Sequence, residues 1–243
     1  MDKLSIDDIK GRKTSDTIFI LGSGYSINKV SQQDWNVIKS HNSIAFNWFC
    51  KHRFEPTFFL IREQANLLFR VSHGETTDEL VNCINKYKRT FGIICDVSSH
   101  TRKAYRYHKD KRIIIPSLIV KDDKSKKIRN LLNMNKNPER KGLIHGTCTL
   151  YNVLHLVRYL GYEKIVFVGI DLYDSRYFWL HKNESRHAVT KKRQNYKSKH
   201  SISRRVVKLV NQFKKTFRLE MYVTNPKSLL TKIIPHKPIE DFA

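Results

Sequence analysis

Apolar residues along the chain come in short unbroken runs rather than in alternation with polar ones. "TIFIL" (17–21), "SIAFNWF" (43–49), "TFFLI" (57–61), "FGIIC" (91–95), "RIIIP" (112–116), "KIVFVGI" (164–170) and "EMYVT" (220–224) are such runs. Continuous runs of this length predict strands buried on both faces, the pattern of a parallel sheet. Helical spacing appears between them. In 147–160, Leu150, Val153, Leu154, Val157 and Leu160 fall on one stripe, and Gly161 follows as a natural residue just past a helix end. In 203–214, Val206, Leu209, Val210 and Phe213 share a face, with basic residues on the other. Alternation of this kind predicts an α/β fold: an open, doubly wound, mainly parallel Rossmann-like sheet.

No internal repeat and no Gly/Ser- or Pro-rich linker divides the chain, so residues 1–243 are expected to form a single domain. Two segments break the alternation. Residues 117–142 are polar and basic. Residues 171–200 separate a strand from a helix by about thirty residues, longer than ordinary connections and typical of a functional loop. Ligands of open α/β sheets bind beyond the carboxyl ends of the strands. A segment leaving "KIVFVGI" at that end is therefore expected to be a lid insertion.

Charge changes the picture more than composition does. Forty-six basic residues against 22 acidic ones give a formal net charge of +24. That excess implies a polyanionic neighbour: nucleic acid, an anionic membrane face or a phosphorylated substrate. No apolar run approaches the roughly 18 residues that span a bilayer, and the N-terminal "MDKLSIDDIKGRK" lacks the apolar centre of a secretory signal. Cys50, Cys83, Cys95 and Cys148 are scattered without a CxxC pair. Reduced thiols and a cytoplasmic location are the expectation.

The candidate chemistry begins where the first run ends, at Gly22-Ser23-Gly24-Tyr25-Ser26. Glycines permit a sharp turn and close approach of a ligand to main-chain amides, and Ser23 and Ser26 add hydroxyls. The pattern is GxGxS, not GxGxxG. The second run ends on Asn47 where a dinucleotide dehydrogenase usually carries an acid, which argues against NAD. There is no HExxH, no Cys/His ligand spacing and no DxD; Asp171 and Asp174 have the wrong spacing for a divalent ion. Phosphate charge would then be met by hydroxyls, amides and cations. The long insertion supplies these: Tyr173, Tyr177 and Tyr196, and nine basic residues against one acid between Lys182 and Arg205. His200, just before the last long helix, is a candidate general base.

Four stretches read in order, "ILGSGYSI", "IAFNWF", "LGYEKIVFVGIDLYDSRY" and "NYKSKHSISRRVVKLVNQFKKTFRLEMYVTNPKSLLTKI", resemble the bacterial lipooligosaccharide sialyltransferases, glycosyltransferase family 42. The resemblance is strongest over 160–173 and 200–230 and thin over 62–141. It implies one nucleotide-binding GT-A-like α/β domain with a lid, CMP-sialic acid as donor, no metal or other cofactor, and inversion at the anomeric centre. By position, Gly22, Ser23, Gly24 and Ser26 match the donor-phosphate turn and Asn47 the nucleotide-binding asparagine. Tyr173 and Tyr177 match the two tyrosines that meet the departing phosphate, with Tyr177 two residues early, and His200 matches the base. "LIHGTCTLYN" stands where the family has R-x-T-S-G, so Gly146, Thr147 and Thr149, with His145, are the donor-contact candidates there. Ser23 and Tyr25 replace an asparagine and a proline. These departures fall on the donor side, so a related acidic sugar is an open alternative to sialic acid.

The resemblance also implies a glycan acceptor, lipid-linked as in lipooligosaccharide, a peripheral position on the anionic inner-membrane surface, and a homo-oligomer. Two other readings stay open: a pterin pyrophosphokinase-like diphosphotransferase, and a basic nucleic-acid-binding α/β protein using Tyr177, Trp179 and Tyr196.

Overall fold

A computed structural model of the chain describes residues 4–62, 82–96, 111–119, 138–146, 148–173, 176–179 and 202–243. The strands are β1 (Thr17–Leu21), β2 (Asn42–Phe46), β3 (Phe58–Arg62), β4 (Phe91–Asp96), β5 (Arg112–Ile119), β6 (Leu143–His145), β7 (Lys164–Val168) and β8 (Glu220–Val223). The helices include α1 (Ile6–Lys10), α2 (Gln32–Ser40), α3 (Pro138–Lys141), α4 (Leu150–Tyr159) and α5 (Ile202–Phe217). Strand order through the sheet is β6-β5-β4-β3-β2-β1-β7-β8. The expected parallel α/β architecture is what the chain adopts. Packing divides it into two compact units, Met1–Lys13 with Ile44–Gly161, and Thr14–Ser43 with Tyr162–Ala243.

In the second unit, β1 pairs in parallel with β7 from Thr17↔Lys164 to Leu21↔Val168, and β7 with β8 from Lys164↔Glu220 to Phe167↔Val223. Phe19 and Phe167 are fully buried, as the unbroken apolar runs require. The ring of Phe19 stacks on His41 and meets Phe242 edge-on. Helix α2 opens with a capping box in which Ser31 and Asp34 satisfy each other's backbone amides. Helix α5 buries Val206, Leu209, Val210 and Phe213, the stripe its spacing predicts. In the first unit, β3 pairs in parallel with β2 and β4, and β5 with β4 and β6. Helix α4 buries eight of its ten residues and ends before Gly161, whose φ of +81° only glycine adopts without strain.

Three boundaries differ from the sequence expectation. Strand β2 stops at Phe46 because Asn47 turns left-handed, at φ +54°, and opens a 3₁₀ turn over Asn47–Lys51. Strand β7 stops at Val168 because Gly169 takes φ +70°. The polar segment 117–142 begins as strand, since β5 continues to Ile119 to pair with the unpredicted three-residue β6. The lid insertion expected over 171–200 falls outside the described residues at 174–175 and 180–200. No helix among the described residues is long and apolar enough to cross a membrane.

Candidate functional site

The carboxyl ends of β1 and β7 lie side by side, and the loops leaving them knit together. Past Leu21, the Gly22 amide donates to the Val168 carbonyl at 2.8 Å and the Gly24 amide to the Gly169 carbonyl at 2.9 Å. Both glycines are needed for room. A Cβ on Gly22 would lie 2.5 Å from the Gly169 carbonyl oxygen, and one on Gly24 would lie 2.5 Å from Asp171 Oδ2.

Asp171 is the hub. Its side chain is almost wholly buried, at 3% exposure, and three donors meet its carboxylate. The Ser26 amide donates to Oδ2 at 2.9 Å, the Ser26 hydroxyl donates to Oδ1, and Asn225 Nδ2 donates to Oδ1 at 2.8 Å. A buried carboxylate without such partners would carry a large desolvation cost. The next residue, Leu172, is held at φ +64°, an uncommon conformation for a non-glycine residue. The Ser203 hydroxyl, near the start of α5, donates to its carbonyl at 2.7 Å. This turn presents Tyr173, which is 44% exposed, and Asn225 Nδ2 reaches its phenol oxygen at 3.4 Å. Behind it, the Ser228 hydroxyl donates to the Ile170 carbonyl at 2.6 Å and the Leu229 amide to the Asp171 carbonyl at 3.2 Å.

Residues 176–179 close against the glycine turn. Tyr177 forms an antiparallel bridge with Gly24, and the Phe178 amide donates to the Ser23 carbonyl at 3.2 Å. The Tyr177 ring is buried and stacks on Trp179, with centroids 4.3 Å apart. The guanidinium of Arg176 lies 3.9 Å above the Tyr25 ring, close enough for a cation–π contact. The Ser23 hydroxyl oxygen is buried and has no hydrogen-bond partner among the described residues.

Of the sequence candidates, Gly22, Ser23, Gly24, Ser26, Tyr173 and Tyr177 are thus brought into one connected constellation in the second unit. Asn47, Gly146 and Thr149 belong to the first unit. Asn47 starts the 3₁₀ turn after β2. Tyr87 donates its phenolic hydrogen to the His52 carbonyl, at 2.7 Å, just beyond that turn. A Cβ on Gly146 would sit 2.9 Å from the Tyr151 ring, and Thr149 is buried at the N-cap of α4. His145 donates from Nδ1 to Asn152 Oδ1 at 2.7 Å, since an amide oxygen can only accept. His155 accepts the Ile144 amide on Nδ1 at 3.0 Å, and burial lowers its pKa to about 4. His200, Thr147 and Tyr196 lie outside the described residues. The sequence reading missed Asp171, Asn225, Ser228 and Arg176. It weighed Asp171 only as a metal ligand. The described residues contain no group of three or more His, Cys, Asp or Glu side chains arranged to hold a metal.

A parallel Rossmann-like sheet with a glycine turn, pinned by a buried carboxylate beyond the ends of two neighbouring strands, defines an α/β protein with a ligand-type strand-end site. No family model matches the chain, and no curated protein matches it. Solved structures do match. The sialyltransferase CstII from Campylobacter jejuni, in complex with cytidine-5'-monophosphate, has a TM-score of 0.50 at 16% identity, covering 94% of this chain and 86% of that one. The monofunctional alpha-2,3-sialyltransferase Cst-I from Campylobacter jejuni gives 0.53 at 14% identity, covering 98% and 84%. At these identities what is shared is the fold: the chain has the parallel α/β fold of these two structures, the fold class that its sequence led one to expect.

Proposed function

We propose that the protein is an inverting, metal-independent glycosyltransferase that moves sialic acid or a related acidic sugar from a CMP-sugar to a glycan hydroxyl. One observation carries the reading. The turn and the phenol that resemble the donor-phosphate contacts, Gly22–Ser26 and Tyr173, meet in a single hydrogen-bond network through Asp171 and Asn225. Sequence order alone does not require that meeting.

The chemistry follows from these groups. The acceptor oxygen attacks the anomeric carbon as the bond from that carbon to the phosphate oxygen breaks, and its proton passes to His200. The electron pair leaves with CMP, a phosphate monoester. Tyr173 and Tyr177 donate hydrogen bonds to the charge growing on that phosphate, so stabilisation concentrates in the transition state. A monoester leaving group depends less on a divalent ion than a diphosphate does. The acceptor is a lipid-linked surface glycan, and the protein works as an oligomer at an anionic membrane face. The +24 charge supports that location, at roughly 1 kcal/mol per well-placed Lys or Arg.

Calorimetric titration with CMP in EDTA, beside magnesium-ATP and a short oligonucleotide, tests the reading. CMP is expected to bind without metal, and His200→Ala to keep that binding while losing transfer from a CMP-activated acidic sugar. Salt-sensitive oligonucleotide binding with no response to CMP would refute the proposal. So would binding confined to magnesium-ATP.

A further inference from the structure

Asn225 sits on the loop after β8, far in sequence from any residue that resembles a donor contact, yet it touches both halves of the site. Its amide orientation is fixed by its partners. Oδ1 accepts the Lys227 amide at 3.1 Å, so the nitrogen must face the other way. That nitrogen carries two hydrogens. One goes to Asp171 Oδ1 at 2.8 Å and the other to the Tyr173 oxygen at 3.4 Å. A carboxylate only accepts, so the first assignment is unambiguous. The second makes the Tyr173 oxygen an acceptor from the protein, which leaves the phenol's own hydrogen to point away from Asn225. Among the described residues, Tyr173 and Leu118 are the large apolar side chains that are substantially exposed.

We infer that Asn225 is a positioning residue: it sets the Tyr173 hydroxyl as an outward donor and ties it, through Asp171, to the Ser26 end of the glycine turn. The role rests on the proposed function, because it assumes that a leaving phosphate is what the phenol meets. The network then does two things at once. It withdraws Tyr173 from competing roles as a donor inside the protein, and it holds the phenol in fixed register with the turn that Asp171 anchors. Hydrogen-bond chains of this kind polarise one another, so a donor to the phenol oxygen strengthens the hydrogen bond that the phenol itself gives. Asn225 touches no reacting atom in this scheme. It acts only through Tyr173 and Asp171.

The test is a double-mutant cycle on steady-state transfer, with Asn225→Ala, Tyr173→Phe and the double variant. Asn225→Ser, which keeps one hydroxyl donor, covers the case in which the alanine variant folds poorly. Circular dichroism and calorimetric CMP binding are followed on each protein. Asn225→Ala is expected to lower kcat about tenfold, the scale of one hydrogen bond, with a smaller change in the donor KM. In the Tyr173→Phe background the same change should cost under about threefold, because the oxygen that Asn225 serves is already gone. The ¹³Cζ resonance of Tyr173 should shift in Asn225→Ala, a readout that needs no turnover. Multiplying losses with an unmoved resonance overturn the inference and leave the proposed function standing. A wild type that neither binds CMP nor transfers from a CMP-sugar overturns the proposed function, and the role of Asn225 in it.

Discussion

The bond between the Ser26 hydroxyl and Asp171 is the simplest place to test whether a buried carboxylate holds the glycine turn. Ser26→Ala removes one donor from Asp171 Oδ1 and leaves the Ser26 amide on Oδ2 and Asn225 Nδ2 on Oδ1. A hydrogen bond to a charged group contributes about 1.5–3 kcal/mol. With two donors remaining and Asp171 at 3% exposure, water cannot readily replace the lost one, and a cost of about 2 kcal/mol is expected. For a chain of this length, each kcal/mol lowers the melting temperature by about 2–4 °C, so the variant should melt about 4–8 °C lower. Ser31→Ala is the matched control. It removes an exposed N-cap on α2, costs about 1 kcal/mol, and should leave CMP binding unchanged. The decisive comparison adds Asp171→Asn. If the hydroxyl acts on the carboxylate, Ser26→Ala should cost much less once the charge is gone. A loss under about 0.5 kcal/mol in the wild-type background, or the same loss in both backgrounds, would refute the reasoning.

Other predictions concern the rest of the molecule. Asn47 sits at φ +54°, so Asn47→Gly should keep stability while Asn47→Ala loses about 1 kcal/mol to backbone strain; both should weaken CMP binding if the side chain contacts the nucleotide, which parallel melts and titrations will separate. His155 is held neutral by burial with its pKa near 4, below the ordinary 6.5, so the unfolded chain takes up a proton that the folded one refuses between those values. Stability should therefore fall as pH drops from about 6.5 to about 4, by up to about 3 kcal/mol from this residue, and His155→Gln should flatten that part of a urea-melt pH series. Arg176 is held over Tyr25 beside the turn, so Arg176→Gln should weaken CMP several-fold while leaving cytidine unchanged; equal weakening of both would remove the phosphate role.

The strands were legible because a sheet covered on both faces demands unbroken apolar runs, and β1, β3, β4 and β8 fall within a residue of where those runs lie. The exceptions have local causes. Three residues of β6 are too few to form a run, and α2, with only Trp35 and Ile38 buried, offers almost no apolar stripe, although its Ser31/Asp34 capping box stands in the sequence. Strand ends were misjudged where one residue turns left-handed. Asn47 and Gly169 each follow apolar residues, and apolar pattern does not reveal φ. The glycine turn was legible because glycine, close approach and hydroxyls are local properties. Asp171 was not legible, since its meaning lies in partners 145 residues back and 54 residues on. A lone aspartate beside a strand invites thoughts of metal. Only folding shows that hydroxyl and amide donors have already taken its oxygens.

That distinction bears on how the departures from the family motif should be weighed. The Ser26–Asp171 bonds hold the turn, and the two positions that depart from the motif it resembles, Ser23 and Tyr25, both lie on it. Serine at 23 is smaller than the asparagine it replaces, and its hydroxyl oxygen is buried with no partner among the described residues. Buried oxygens in native proteins are ordinarily satisfied, so this one is an acceptor and donor still to be used. Tyrosine at 25 replaces a proline, whose ring offers no aromatic face, and Arg176 occupies the face so gained. Proline also has no amide hydrogen, so the exchange restores a backbone donor at the start of the 3₁₀ turn. The change at 23 exchanges an amide for a single hydroxyl, and the change at 25 brings a ring and the Arg176 charge beside the turn; neither touches the Ser26–Asp171 bonds. Such substitutions suit a site that still takes a phosphate but meets it with different groups. On the proposed function, the expected difference from the enzymes whose fold it shares is which CMP-activated acidic sugar is bound, so a screen of such sugars should show tightest binding to one other than CMP-sialic acid; preference for CMP-sialic acid itself would remove this reading of Ser23 and Tyr25.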